Sequence, residues 1–249
     1  MAKTPGWQPS QFEANQTILW PVVFCLVILR GRTGMRMVLV RHGETTWNAE
    51  GRYQGHRDIP LSPVGEAQAQ ALQARLRDVA ITHALASPLM RAQLTARIAL
   101  GPARADRLKT DEDLRELCHG QWEGCLASEV RQNDPERFHA WYTAPETVVM
   151  PGGGESLHQL QQRCWRSLTR VAASLSAEDI LLVVAHDGVN RAILCRILGL
   201  DLAQFWRLRQ APATINVIEG PDVDRLSVVR LNDCSHHSAL FGEPIHQAI

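Results

Sequence analysis

The chain has 249 residues, with 26 basic residues balanced by 26 acidic ones. This length is enough for one α/β domain with a sizeable hydrophobic core. Because the formal net charge is zero, no global field favours nucleic acid or an anionic membrane, so any anion must be bound by a local cluster. The six cysteines are scattered, without a C-x-x-C pair, which excludes a disulfide-rich scaffold and favours a reduced, cytoplasmic protein.

The N-terminal segment differs in character from the rest of the chain. Residues 18–29, ILWPVVFCLVIL, are strongly apolar, but Pro21 interrupts them and about a dozen residues span a bilayer poorly. A signal peptide needs a basic n-region, and Lys3 is the only early cation. We expect residues 1–34 to be an extension without stable membrane association, with Met35 or Met37 as the natural start and 35–249 as the folded domain. Export or anchoring of the segment is the alternative.

The hydrophobic pattern then alternates between strand and helix periods. Its continuous apolar runs, MVLV and ILLVVA, are typical of strands buried on both faces of a parallel sheet. In chain order the predicted elements are strand 37–40, helix 62–79, strand 83–87, helix 88–100, strand 106–109, helix 157–175, strand 180–185 and strands 214–219 and 226–231. This alternation predicts an α/β fold, a three-layer helix–sheet–helix sandwich with a mostly parallel sheet. Residues 126–154 contain prolines and a Gly-Gly-Gly run, which indicate an irregular insertion around short helices near the mouth of a site.

Polar residues follow several of the predicted strands. Arg41 and His42 come directly after the first, and His186 directly after the strand 180–185. Arg91 falls in the first turn of the helix after strand 83–87, where free backbone N–H groups favour an anion, and Glu116 adds a carboxylate. Because ligands of open α/β sheets bind outside the carboxyl ends of strands, we expect these five side chains to share one pocket.

These residue types suit the chemistry of a phosphate ester. Guanidinium groups grip phosphoryl oxygens bidentately and stay charged, so Arg41 and Arg91 neutralise the dianion without a metal. A neutral His42 can attack phosphorus in line while His186 donates a hydrogen bond to the transferring group. Glu116 can protonate the departing alkoxide and then, once ionised, activate water. No cofactor is required by this scheme.

Four motifs resemble the histidine phosphatase superfamily of phosphoglycerate-mutase-like proteins. They are R-H-G-E-T-x-x-N at 41–48, S-P-L-x-R-A at 87–92, L-x-E at 114–116 and H-D-G at 186–188, within a likeness from about 37 to about 231. The resemblance implies a phosphoglycerate-mutase-like fold over the folded domain, with His42 as the phosphorylated nucleophile and Glu116 as the proton donor. It also implies that the phosphate pocket is formed by Arg41, Arg91 and His186 and lined by Asn48 and Gln54.

Within that superfamily the chain is more similar to phosphatases than to mutases. The G-x-W-E-G pattern at 120–124 is similar to alpha-ribazole phosphatases and broad-specificity phosphatases, as, more weakly, is the stretch 231–236. Asp187 departs from the small residue that many relatives have there. We therefore predict a metal-independent phosphatase of a small phosphorylated metabolite, resembling alpha-ribazole phosphatase.

Two other functions are compatible with these residues. A phosphoglycerate mutase-type phosphomutase would share every catalytic residue and differ in keeping the phosphoenzyme from water. A non-catalytic phospholigand-binding protein would use the pocket without the chemistry. The sequence leaves open the physiological substrate and the oligomeric state, a homodimer being one option.

The remaining titratable and aromatic residues are interpreted as structural. Glu123 is expected to be structural and His119 to lie at the surface. His236 and His237 are adjacent, so in a strand their side chains would diverge and would not share a metal. Four tryptophans are expected to pack in the core: Trp122, Trp141, Trp165 and Trp206. Two cysteines near the site, Cys118 and Cys125, are expected to have no catalytic role.

Overall fold

The computed structural model describes residues 34–238. The predicted N-terminal extension, with its apolar segment 18–29, lies outside these residues apart from Gly34. The strands are β1 Met35–Arg41, β2 His83–Ala86, β3 Leu108–Thr110, β4 Ile180–Ala185, β5 Ile215–Gly220 and β6 Ser227–Asp233. The α-helices are α1 Thr46–Glu50, α2 Pro63–Arg75, α3 Met90–Leu100, α4 Ala127–Asn133, α5 Pro135–Thr143, α6 Leu157–Ala172 and α7 Asp187–Ile197. Within residues 34–238, none of the helices has the length and apolar character needed to cross a membrane.

The strands of this part of the chain form one six-stranded sheet in the order β3-β2-β4-β1-β5-β6. β3, β2, β4 and β1 run parallel, whereas β5 is antiparallel to β1 and to β6. In the register of β1 with β4, Arg41 lies opposite Ala185. The residues that follow these two strands, His42 and His186, therefore leave the sheet side by side.

Helices cover both faces of the sheet. On β1, Val38 and Val40 belong to a core shared with α2 and α3, whereas Met37 and Leu39 belong to the core formed with α6 and α7. Successive strand residues point to opposite faces, so a continuous apolar run is required where both faces are covered. The predicted three-layer sandwich is confirmed.

Some predicted boundaries are wrong, and one helix was missed. β3 begins at Leu108 because the preceding Pro102–Arg107 form a 3₁₀ helix. α2 ends at Arg75, before the predicted end. Helix α7 was not predicted, because every residue from Asp187 to Cys195 is buried and a helix buried all round shows no amphipathic period.

Candidate active site

The site lies at the carboxyl ends of β1 and β4. The ladder extends one residue further, since the His42 N–H donates to the Ala185 carbonyl at 3.0 Å. The rings of His42 and His186 consequently lie edge to face, with centroids 5.1 Å apart and an interplanar angle of 63°. The predicted neighbourhood of these two imidazoles is confirmed.

His42 is held in one tautomer by its own backbone. Its Nδ1 lies 2.6 Å from the Gly43 carbonyl oxygen, and because a carbonyl only accepts, Nδ1 must carry the hydrogen. Burial, and after it the charges of Arg91 and Arg41, lower the pKa of His42 well below 6.5. At neutral pH the ring is therefore uncharged, and the lone pair is on Nε2.

Arg41 ends β1 as a buried cation, 2% exposed. Its Nη1 donates to the Gln210 carbonyl at 2.6 Å and lies 3.5 Å from Asp187 Oδ1. Asp187 also accepts from Arg191 Nε at 2.7 Å, so one buried carboxylate serves two guanidinium groups. Burial lowers the pKa of Arg41, and the Asp187 carboxylate opposes that shift.

Arg91 enters the site from the first turn of α3, where the S-P-L-x-R-A motif predicted it. It is fully buried, and its Nη1 and Nη2 donate to the carbonyls of Arg57 and Gly55 at 2.8 and 2.9 Å. Burial lowers its pKa to about 10, so it remains charged at neutral pH. The Arg91 carbonyl accepts from Thr95 Oγ1, which in turn accepts from the Gly43 N–H, a link between α3 and the loop after His42.

Glu116 approaches from the loop before the insertion. Its Oε1 accepts from the Leu117 N–H at 2.8 Å and its Oε2 from the Gly188 N–H at 3.3 Å. Burial, followed by the charge of Asp187, raises the pKa of Glu116. Gly188 has a steric role as well, because a Cβ there would lie 2.6 Å from Glu116 Oε1.

His186 is the most isolated polar group of the site. It is fully buried, and neither ring nitrogen has a hydrogen-bond partner among the residues that the structure describes. Burial, with the nearby Arg91 and then His42, lowers its pKa well below 6.5. A buried imidazole without partners carries a desolvation cost that a bound ligand can offset.

The two residues expected to line the pocket are both buried. Asn48 Oδ1 accepts from the Thr45 N–H at 3.1 Å, and the Asn48 N–H donates to Thr45 Oγ1 at 3.1 Å, which forms a capping box at the start of α1. Gln54 is 5% exposed, and its Oε1 has no hydrogen-bond partner within residues 34–238. Their role toward a ligand stays a prediction.

Two predictions about other histidines are wrong. His119 is buried rather than at the surface, because the insertion covers it and its ring contacts Tyr53 and Trp141. Burial lowers its pKa to about 3. His236 and His237 follow β6 in a turn instead of lying in a strand, so their rings meet at 4.5 Å instead of diverging.

The interpretation of Glu123 and of four tryptophans as structural residues is confirmed. Glu123 Oε1 accepts from the backbone N–H groups of His56 and His119, which ties two loops near the site. The tryptophans expected to pack in the core are buried or partly buried in it: Trp122, Trp141, Trp165 and Trp206. Within residues 34–238 no three His, Cys, Asp or Glu side chains are grouped as metal ligands.

Sequence reasoning missed the buried network behind Arg41. It connects Asp187, Arg191 and Gln210, and Gln210 is bonded in turn to Asn216 of β5. The only local signal was the i,i+4 spacing of Asp187 and Arg191, which on a helix places opposite charges together.

The chain matches a known protein family over most of its length. The sequence model of the Histidine phosphatase superfamily (branch 1) covers residues 37–234. Phosphoserine phosphatase 1 of Hydrogenobacter thermophilus is 34% identical over 215 residues, which are 86% of this chain and 100% of that protein. Phosphoglycerate mutase-like protein 4 of Arabidopsis thaliana is 40% identical over 158 residues, 63% of this chain and 68% of that protein.

Solved structures share the architecture. The crystal structure of the alpha-ribazole phosphatase from Shigella flexneri superimposes with a TM-score of 0.71 at 31% identity, covering 80% of this chain and 97% of that one. The predicted phosphoglycerate-mutase-like fold is confirmed by this match.

Proposed function

Since the chain belongs to branch 1 of the histidine phosphatase superfamily, we propose that it hydrolyses a small phosphomonoester through a phosphohistidine on His42. The observation that carries the proposal is the convergence of five buried groups at one edge of the sheet. They are two guanidinium groups, two neutral imidazoles and one carboxyl: Arg41, Arg91, His42, His186 and Glu116.

The first step transfers the phosphoryl group to His42. The Nε2 lone pair, freed by the Nδ1 contact with Gly43, forms a bond to phosphorus as the ester P–O bond breaks. The electron pair of that bond leaves with the substrate oxygen, which takes the proton of Glu116. Burial favours the protonated form of this carboxyl, as a general acid at neutral pH requires.

The cationic groups hold the phosphoryl oxygens during this transfer. Arg41 and Arg91 each keep a buried Nε without a partner in the described part of the chain, and each guanidinium has five N–H donors. His186, whose ring is equally unpartnered, donates to an oxygen on which charge develops. Donors fixed before the reaction stabilise the transition state without reorganisation, so this scheme needs no metal ion.

The second step returns the enzyme to its starting state. The Glu116 carboxylate takes a proton from water, the water oxygen bonds to phosphorus, and the P–N bond breaks with its electrons returning to His42 Nε2. Inorganic phosphate leaves, and Glu116 is again protonated.

The site and the relatives together support a proposal for the substrate class. Asn48 and Gln54 would line the phosphate pocket, and the insertion 126–154 would contact the alcohol part of the substrate. The relatives include proteins named for phosphoserine and alpha-ribazole phosphates, so small phosphorylated metabolites of these kinds are the candidates. A cytoplasmic location accords with such substrates and with the free thiols among the described cysteines.

The test is a phosphate-release assay on the purified chain. The panel contains phosphoserine, alpha-ribazole phosphate and 3-phosphoglycerate, with His42→Ala and Glu116→Gln as controls. We expect phosphate release by the wild type and a loss of about 10³-fold or more in the His42 variant. Isomerisation of 3-phosphoglycerate, with added bisphosphoglycerate, faster than phosphate release would favour a mutase. Tight phosphate binding without turnover of any ester would favour a phospholigand-binding protein.

A further inference from the structure

Arg163 on α6 lies behind the loop that carries Glu116. Its side chain is 12% exposed, and all five guanidinium N–H groups are used. Nη1 donates to the carbonyls of Asp113 and Arg115 at 2.9 and 2.6 Å, and Nη2 donates to the Glu116 carbonyl at 2.8 Å. The remaining two donors go to the carboxylate of Glu155, from Nε at 2.7 Å and from Nη2 at 2.8 Å.

Glu155 extends this contact to the other side of the same loop. Its Oε2 accepts from the Cys118 N–H at 2.9 Å, while its two oxygens hold Arg163 in the bidentate geometry of a carboxylate–guanidinium pair. The backbone of residues 113–118 is therefore fixed through three carbonyls and one N–H by a single partly buried ion pair.

Glu116 lies at the centre of the fixed segment. Its carbonyl accepts from Arg163 and also, at 2.9 Å, from His56 Nε2. Its carboxyl is held separately, by the N–H groups of Leu117 and Gly188. The position of the carboxyl thus depends on the irregular backbone that follows the 3₁₀ helix Glu112–Leu114, and contacts with α6 set its course.

We propose that Arg163, oriented by Glu155, is a positioning residue for the proton donor. The inference rests on the proposed function, because it assigns Arg163 a role only through the acid–base work of Glu116. Arg163 does not touch the substrate. It fixes the backbone from which Glu116 reaches the leaving oxygen, and a displacement of about 1 Å at such a group lowers a rate by up to about 100-fold.

The leaving group distinguishes this role from a merely structural one. Phenolate is a poor leaving group and needs the proton of Glu116, whereas dinitrophenolate departs unprotonated. The value of kcat/KM reports the steps up to departure of the alcohol and is unaffected by the later hydrolysis. A displaced proton donor therefore lowers kcat/KM for phenyl phosphate and spares 2,4-dinitrophenyl phosphate. The ratio of the two values in one sample does not depend on the folded fraction.

The experiment measures both values for the wild type, Arg163→Gln, Arg163→Lys and a control, Arg166→Gln. Arg166 lies on the same helix and contacts the same loop, but only through the Asp113 carboxylate, and it is 61% exposed. We expect Arg163→Gln to lower the phenyl to dinitrophenyl ratio about 10- to 100-fold. Arg163→Lys should recover little, because an ammonium has three donors without the planar fork. Arg166→Gln should leave the ratio within about twofold.

Glu116→Gln separates failure of this inference from failure of the proposed function. If Glu116→Gln lowers the ratio and Arg163→Gln does not, the positioning role is wrong and the proton donor stands. If Glu116→Gln itself leaves the ratio unchanged, the proposed function fails at its general acid. In the double variant, Arg163→Gln should have no further effect on the ratio, because both changes act on one group. Independent, multiplicative effects would contradict a role through Glu116.

Discussion

Replacement of Gly188 by alanine tests whether the carboxyl of Glu116 must sit where the structure places it. Gly188 is the second residue of α7, and its φ is not positive, so alanine fits the backbone. The added Cβ would lie 2.6 Å from Glu116 Oε1, against 3.4 Å for an ordinary contact. The neighbour is the end of a flexible side chain, so the carboxyl retreats while the backbone stays.

The expected size follows from this distance. The carboxyl must move by about 0.8 Å to relieve the contact, and misplacement of a catalytic group by about 1 Å costs up to about 100-fold in rate. Alanine at a helical position is favoured over glycine by about 1 kcal/mol. We therefore expect Gly188→Ala to lower kcat about 10- to 100-fold while the free energy of unfolding changes by no more than about 1 kcal/mol.

The assay combines phosphate-release kinetics with urea unfolding. Gly65→Ala is the matched contrast, because its Cβ would lie 2.0 Å from the Glu44 carbonyl oxygen, a backbone atom. It should lower the free energy of unfolding by about 1 to 3 kcal/mol. Competitive inhibition by inorganic phosphate should stay within about threefold in Gly188→Ala, since the arginines that bind phosphate are not displaced. A Gly188→Ala enzyme with wild-type kcat would refute the assignment of Glu116 as a precisely placed proton donor.

Two further predictions concern titratable residues, and a third concerns metal dependence. Burial lowers the pKa of His119 to about 3 in the folded protein, against 6.5 ordinarily. Below pH 6.5 the unfolded chain therefore binds a proton on His119 that the folded chain does not, and the free energy of unfolding decreases as the pH falls toward 3. His119→Phe should reduce the stability lost between pH 7 and 4 by about 3 kcal/mol in urea unfolding; an unchanged pH dependence would contradict the buried neutral ring. Asp187→Asn should lower the pKa of Glu116, whose rise is due to burial and then to Asp187, and so shift the alkaline limb of the kcat/KM profile to lower pH. A limb that stays in place would show that the two carboxyls do not interact. Dialysis against a chelator should leave phosphate release unchanged, whereas activity restored only by an added divalent ion would exclude the arginine-based scheme.

The placement of candidate site residues at the carboxyl ends of strands could be predicted because the signals were local. The runs 37–40 and 180–185 are apolar throughout, as strands buried on both faces require. The polar residues that follow them, Arg41-His42 and His186, then emerge at one edge of a parallel sheet. In the structure β1 and β4 are adjacent, and the rings of His42 and His186 are in contact.

The hydrogen bonds and ion pairs that hold the catalytic side chains in place could not be predicted. Arg163 donates to the Glu116 carbonyl although the two residues are 47 positions apart in the sequence. Hydrophobic periodicity predicts helices and strands, and it does not predict a contact of this kind. Asp187 looked like a departure from a small residue, yet it is a buried acceptor for two guanidinium groups because α7 is covered on all sides. His119 was misplaced for a related reason: the insertion that covers it has no clear hydrophobic period, so its packing against Trp141 was invisible.

The proposed mechanism requires a covalent bond between phosphorus and His42. Trapping the phosphohistidine intermediate tests this requirement directly. Enzyme mixed with its best substrate is quenched in denaturant at alkaline pH, where phosphohistidine survives, and digested for mass spectrometry. We predict one phosphate, on the peptide that contains His42. Its amount should approach one per enzyme in Glu116→Gln with 2,4-dinitrophenyl phosphate, because dinitrophenolate leaves without a proton and only hydrolysis of the intermediate is slowed. A Glu116→Gln enzyme that turns over with no phosphate on His42, or with phosphate on another residue, would contradict it.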